Sequence, residues 1–213
     1  MDKNIKNKIL ATAYELFLKE GYRAATIREI AAKCGVSHTL VMYNFGSKAN
    51  IAGRICKRYF RELLKTVDET RFSEEDTAYF CKMSWWTLHF LIITTHRDFG
   101  RFYMEFITDE TDAFNEEISS FYPVVIGEMF GLRKNLTRSD FEADMFIVTN
   151  IDLALSRLCY EKKLKVNKAV SKFLNMNITP GLQMDITETE VEAFIEKYSL
   201  LKIAQEIDIK ALL

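Results

Sequence analysis

The sequence predicts an all-α protein, with an N-terminal three-helix head that carries a helix-turn-helix and a larger helical body behind it. Three observations predict this. Only two prolines and eight glycines punctuate 213 residues, so long helices are favoured over a turn-rich sheet protein. Apolar residues recur at spacings of three and four through most of the chain, and no stretch shows the strict alternation of a half-buried strand. A Ser or Thr followed three residues later by Glu, a helix-start signal, returns along the chain at Thr26, Ser139 and Thr187.

The elements follow in order. Ile9, Leu10, Ala13, Leu16 and Phe17 share one face of a first helix over about 4–20, which Gly21 ends. Thr26 caps a second helix, with Glu29 completing a capping box, and Ile27, Ile30 and Ala31 form its narrow apolar stripe. Gly35 ends it, because glycine enters the left-handed region cheaply. Ser37 caps a short third helix at about 38–44, and Val36 and Val41 have the spacing of a hydrophobic staple. Two short helices around the tight turn Gly35-Val36-Ser37 are the grammar of a DNA-reading helix-turn-helix. An ordinary pair of core helices has the same spacing. The second member, however, is very short and rich in polar groups able to reach bases and phosphates.

Ser47 caps a fourth helix to about 69, with Ile51, Ile55, Tyr59, Leu63 and Val67 every four residues. A helix starting at Ser73, with acids in its first turn, carries Tyr79, Phe80, Trp85, Trp86 and Phe90. Another over 98–110 holds Phe99, Phe102, Tyr103 and Phe106. Asp112 caps a helix that reaches Gly131, kinked or broken at Pro123. Ser139 and Glu142 open a long apolar helix to about 161, a helix near 167–176 follows, and Thr179-Pro180-Gly181 is a turn. Thr187 and Glu190 cap a last helix containing Val191, Phe194, Ile195, Tyr198, Leu201 and Ile203.

The net charge of −1 conceals an asymmetry. Residues 1–60 hold eleven Lys and Arg against four Asp and Glu, and residues 61–213 hold eighteen against twenty-six. A basic head on an acidic body suits a head that sits on a polyanion. RNA or an anionic membrane would fit the charge alone; the helix-turn-helix grammar selects DNA.

Composition and motifs exclude several classes. With 48% hydrophobic and 28% charged residues the chain reads as globular. No apolar run approaches the roughly 18 residues of a membrane span. MDKNIKNKIL has no signal-peptide core, so the expected location is the cytoplasm. The glycosylation patterns at Asn135 and Asn177 are then coincidental. Cys34, Cys56, Cys81 and Cys159 form no CxxC and are expected as buried free thiols. His89 and His96, seven apart with no nearby carboxylates, do not make a metal site. Nucleophile elbow, phosphate loop and HExxH are all missing, so no enzyme, cofactor or metal is expected.

Residues 9–48 resemble the DNA-binding domain of the TetR family of bacterial transcription regulators, through Ile9, Ala13, Leu16, Phe17, Gly21, Tyr22, Thr26, Ile30, Ala31, Gly35, Val36, Ser37, Phe45, Ser47 and Lys48. The resemblance covers about one fifth of the chain. It implies a helix-turn-helix DNA-binding domain over 1–47 and a helical ligand-binding and dimerisation domain over 48–213. It implies further a homodimer on a palindromic operator, with a small-molecule effector held in the body. Thr26 and Lys48 stand where the family contacts phosphates, and Ser37, His38 and Thr39 begin the recognition helix. Arg28 could reach a guanine edge, and Leu40 a thymine methyl group. The family's common Leu-Tyr-x-His-Phe is here Val41-Met42-Tyr43-Asn44-Phe45, so Met42 stands in the usual tyrosine position and Tyr43 is a candidate to take over its contact. The operator sequence is not legible in these residues.

The expected effector site is the aromatic concentration Trp85, Trp86, His89, Phe90, Phe102, Tyr103 and Phe106, with Phe99 beside it and Asn150 as a polar group from the long apolar helix. The same residues could be plain core. Adjacent tryptophans cannot share one helix face, which suggests one for the core and one for a cavity or interface. Asp152 is a further polar candidate. The dimer face is expected at Phe146, Ile147, Leu153 and Leu158, with Phe194, Tyr198 and Leu201, unless these fill the monomer's own core. The leading function is a ligand-responsive repressor. The alternative is a DNA-binding architectural or division-control protein without a small ligand.

Overall fold

The structure, a computed structural model, describes residues 3–69, 77–119, 138–176 and 185–209. Among them are eleven helices and no strand: α1 Lys3–Glu20, α2 Ile27–Cys34, α3 His38–Phe45, α4 Lys48–Glu69, α5 Thr77–Thr95, α6 Arg97–Asp109, α7 Thr111–Ser119, α8 Arg138–Tyr160, α9 Val166–Asn175, α10 Glu188–Lys197 and α11 Leu200–Glu206. The helix start expected at Ser73, the Pro123 kink, both glycosylation patterns and the turn at 179–181 fall outside the described residues.

The head forms for local reasons. The Thr26 hydroxyl accepts from the Glu29 amide at 3.2 Å, while Glu29 Oε2 accepts from the Thr26 amide at 2.8 Å and from its hydroxyl at 2.7 Å. Those hydrogen bonds hold the Glu29 carboxyl below the usual carboxylate range. Gly35, at φ +67°, closes α2 by donating to the carbonyls of Ala31 and Ala32. Ser37 Oγ accepts from Leu40 N at 3.1 Å, and Ser47 Oγ from Asn50 N at 3.0 Å, starting α3 and α4. Ile9, Ala13, Phe17, Ile30 and Val41 are fully buried between the first three helices.

Head and body share one continuous core. Phe102 of α6 stacks on Phe17 of α1 at 5.1 Å and 7°, and Tyr14 meets it edge-on at 6.3 Å. Phe106 packs on Tyr22 at 5.2 Å. The packing of α4 and α6 therefore closes the head's core from the body side.

In the body α5 is the central element. Every residue from Cys81 to Ile93 is buried, and α4, α6, α8, α9, α10 and α11 all pack against it. This corrects the expectation that adjacent Trp85 and Trp86 face core and cavity. A helix surrounded on all sides buries both: Trp85 stacks on Phe60 of α4 at 5.7 Å, and Trp86 lies 3.8 Å from Phe173 of α9. Two further expectations change. The last helix is broken, because Ser199 at φ +51° separates α10 from α11. Phe194 and Tyr198 are buried with ring centroids 4.7 Å apart, so they fill the chain's own core. Phe146, Ile147, Leu158 and Leu201 stay exposed.

All four cysteines are buried and unpaired with one another. Burial raises the Cys56 thiol pKa, and raises that of Cys159 to about 12, so both thiols stay protonated at neutral pH. No helix among the described residues is long and apolar enough to cross a membrane.

Candidate nucleic-acid interface and effector site

Capping and packing together present α3. Ser37 sets its first turn, and Val41 and Phe45 anchor it to the head's core. His38 and Thr39 then point outward, Met42 is 36% exposed and Tyr43 75% exposed, and Leu40 lies half-buried between them. Arg28 and Thr26 are exposed at the start of α2. The face thus carries an imidazole, two hydroxyls, a phenol, a guanidinium and apolar groups, the set needed to meet phosphates and base edges.

Three expected contacts are placed differently. Asn44 is buried, and its Nδ2 donates to the Leu40 carbonyl at 2.7 Å, so it braces α3 from within. A side chain one turn after Leu40 lies on the core side of so short a helix. The Thr26 hydroxyl proton is engaged by Glu29, which makes this residue first a cap. The Lys48 ammonium turns into the head, donating to the carbonyls of Tyr22 at 2.8 Å and Ala25 at 3.1 Å, and lies 4.1 Å from the Tyr22 ring centre. Burial lowers its pKa, against the opposing pull of Glu110, Asp109 and Glu105.

The expected effector residues divide. Phe102 and Phe106 join body to head, as described above, and leave the candidate pocket. Asn150 is exposed and donates to the Phe146 carbonyl of its own helix at 2.7 Å, so it also leaves. His96 bonds the Ala204 carbonyl at 2.7 Å and braces α11. Phe90 packs against Trp86 and Phe173.

His89 and Tyr103 belong to a buried polar cluster. His89 Nδ1 is 2.9 Å from the Tyr59 hydroxyl, and its Nε2 is 3.1 Å from Asp152 Oδ1. Tyr103 donates to Asp152 Oδ2 at 2.7 Å, and Ser156 to Asp152 Oδ1 at 2.9 Å. Burial above all, with the Asp152 charge, holds both phenols well above their ordinary pKa, so each keeps its proton to donate. With a neutral imidazole, Tyr59 donates to Nδ1 and Nε2–H donates to Asp152. One carboxylate thereby ties α4, α5, α6 and α8 together.

Elsewhere on α5, Ser84 Oγ, Trp86 Nε1 and Thr87 Oγ1 are buried without a hydrogen-bond partner. Leaving a buried polar group unpaired costs about 1–3 kcal/mol. Sequence reasoning misses Ser84 and Thr87, although two hydroxyl residues three apart inside an apolar run are a readable signal. No group of three metal-ligating side chains occurs among the described residues.

A helix-turn-helix whose short second helix turns polar side chains outward, on an all-helical body, has the form of a DNA-reading head on a helical support. The model of the family described as "Bacterial regulatory proteins, tetR family" matches residues 9–55, the head from α1 onward and the start of α4. An uncharacterized HTH-type transcriptional regulator of Bacillus subtilis, YerO, is 23% identical over 193 residues, 89% of this chain and 61% of that protein. The HTH-type transcriptional regulator QacR of Staphylococcus aureus is 36% identical over 72 residues, 34% of each chain. The matched region thus spans less than two thirds of either relative. Among solved structures, a SmeT–triclosan complex is similar at 15% identity and a TM-score of 0.48, covering 87% of this chain and 97% of that one.

Proposed function

We propose that this chain is a transcription regulator rather than an enzyme, and that it binds a palindromic duplex as a homodimer and releases it when a small molecule enters the body. The observation that carries the DNA reading is the outward face of α3, above all Tyr43 at 75% exposure on a helix too short to need it for packing. Arg28, Ser37, His38, Thr39, Leu40 and Met42 surround it. The basic head adds phosphate neutralisation, so affinity falls as salt rises. Tyr43→Ala is expected to cost about 1–3 kcal/mol of binding to a duplex that the chain itself enriches from a random pool, with the unfolding midpoint unchanged. Binding within experimental error of the parent would remove Tyr43 from the interface.

The effector reading rests on α5. Ser84, Trp86 and Thr87 offer two hydroxyls and an indole N–H, buried and unpartnered, on the helix that carries His89. A ligand with both apolar and hydrogen-bonding groups would satisfy such groups if it entered against this helix. It acts only if it binds the DNA-incompetent state more tightly than the competent one. Tyr59 puts α4, which carries the head, in direct contact with the His89 cluster.

Dimerisation is supported by the outer stripe of α8. Positions 146, 150, 154 and 158 are exposed at four-residue spacing, with Ile147 alongside. A self-complementary contact between two copies of this helix would bury it. Phe146→Glu is expected to shift the chain to monomer in light scattering and to abolish tight duplex binding; a dimer of unchanged mass would move the interface elsewhere.

A further inference from the structure

The turn between α1 and α2 is held from the body by a set of charged contacts that the head alone does not explain. Arg23 makes a two-pronged pair with Asp109 at the end of α6, Nε to Oδ2 at 2.8 Å and Nη2 to Oδ1 at 2.7 Å. Its backbone amide donates to Glu105 Oε2 at 3.0 Å. The Tyr22 hydroxyl donates to Glu110 Oε1 at 3.0 Å. Arg101, one turn earlier on α6, donates to the carbonyls of Leu18 and Lys19 at 2.8 and 3.0 Å. From the other side, Lys48 at the start of α4 donates to the carbonyls of Tyr22 and Ala25. The turn is therefore gripped between the start of α4 and the last turns of α6, and the Thr26 cap of α2 follows it directly.

Gly21 sharpens the point. It sits at φ +89°, and a Cβ there would lie 2.7 Å from Glu105 Oε2. The chain leaves room for that carboxylate over the turn. Asp109 is held below its usual carboxylate range, first by the hydrogen bond from Arg23, so the pair is charged on both sides at neutral pH.

We propose that Lys48 is a positioning residue and not a phosphate contact, and that with Arg23 it forms a clasp through which Glu105 and Asp109 of α6, and Glu110 just after it, set the placement of α2 on DNA. The proposal rests on the DNA reading of α3. Its physical content is ordering: a turn already held in place loses less conformational freedom when α2 meets the duplex than a free one does. It also gives the body a route to the head that runs through α6, separate from the tilt of α4.

The test uses the full chain and a duplex it has enriched from a random pool. Lys48→Met keeps the aliphatic stem and removes the ammonium. Affinity is expected to fall roughly three- to tenfold, the scale of ordering one or two residues, while the slope of log affinity against log salt stays that of the parent. A slope shallower by about one would mark a lost phosphate contact and overturn the proposal. Glu105→Gln with Asp109→Asn supplies an opposite-sign check. Removing two negative charges should tighten binding to a polyanion by long-range electrostatics alone, whereas loosening the clasp should weaken it. Equal or tighter binding by a variant that unfolds at the parent's temperature overturns the clasp. Should the parent enrich no duplex, the DNA reading fails by itself. Hydrogen exchange then still decides the clasp: faster exchange of amides 21–26 in Lys48→Met supports it, and unchanged protection overturns it.

Discussion

Asp152→Ala is expected to destabilise the chain by about 3–5 kcal/mol, the usual cost of removing one partner from a buried charged set. Three donors lose their acceptor together: His89 Nε2, Tyr103 Oη and Ser156 Oγ, all within 3.1 Å of its two carboxylate oxygens. His89, Tyr103 and Ser156 are fully buried, so solvent does not replace the loss. At roughly 2–4 °C per kcal/mol for a chain of this size, the thermal midpoint should fall by about 10 °C. Asp152→Asn keeps one carbonyl acceptor and lets the Tyr103 hydroxyl turn to accept from the amide, so it should cost less. A midpoint shift of only one or two degrees for Asp152→Ala would show that the cluster does not hold the body together. The cluster joins α4, which carries the head, to α8, which carries the exposed apolar stripe, so its loss should loosen the packing between them.

Gly100→Ala is the second large effect. A Cβ at this position of α6 would lie 2.3 Å from the Ile93 carbonyl oxygen of α5, and 3.0 and 3.1 Å from two ring carbons of Tyr160. The first clash is with backbone in the central, buried α5, so rotation of a side chain cannot relieve it. A cost of about 3 kcal/mol is expected from overpacking, read as a lower urea midpoint with an unchanged denaturant slope. Stability equal to the parent would mean that the α5–α6 elbow is looser than its geometry implies. The elbow matters because α6 carries both the Phe102 stack on α1 and the acids that hold the α1–α2 turn. A shift of its start would therefore be felt in the head.

Much of the head is legible in the amino-acid sequence alone. Caps at Thr26, Ser37 and Ser47, and the left-handed Gly35, act within four residues of themselves, so local sequence contains their cause. The helix-turn-helix follows from them, and so does the outward placement of His38, Thr39 and Tyr43. Asn44 goes against its polarity because the packing of Val41 and Phe45, not the character of each residue, decides which side of α3 faces the core. Lys48 escapes sequence reasoning for a related reason: its partners are carbonyls 23 and 26 residues earlier, beyond the reach of any local pattern.

The body is legible in kind but not in role. The aromatic spacing of 85–106 indicates buried helices, and the structure sorts that one set into three jobs. Phe102 and Phe106 join head to body, Trp85 and Trp86 fill the surroundings of α5, and His89 and Tyr103 serve the Asp152 cluster. No periodicity separates these jobs, because each depends on which other helix lies opposite. Phe194 and Tyr198 fall on the core side of the division between core and interface for the same reason. Sequence by itself determined the all-α class, the start and end of the head's helices, and the basic charge that suits a polyanion, since all three follow from short-range capping, periodicity and composition. Only the tertiary structure decided which polar groups are satisfied inside, which apolar stripe stays open, and how α6 grips the turn ahead of α2, since each of those requires residues far apart in the chain to arrive at one place.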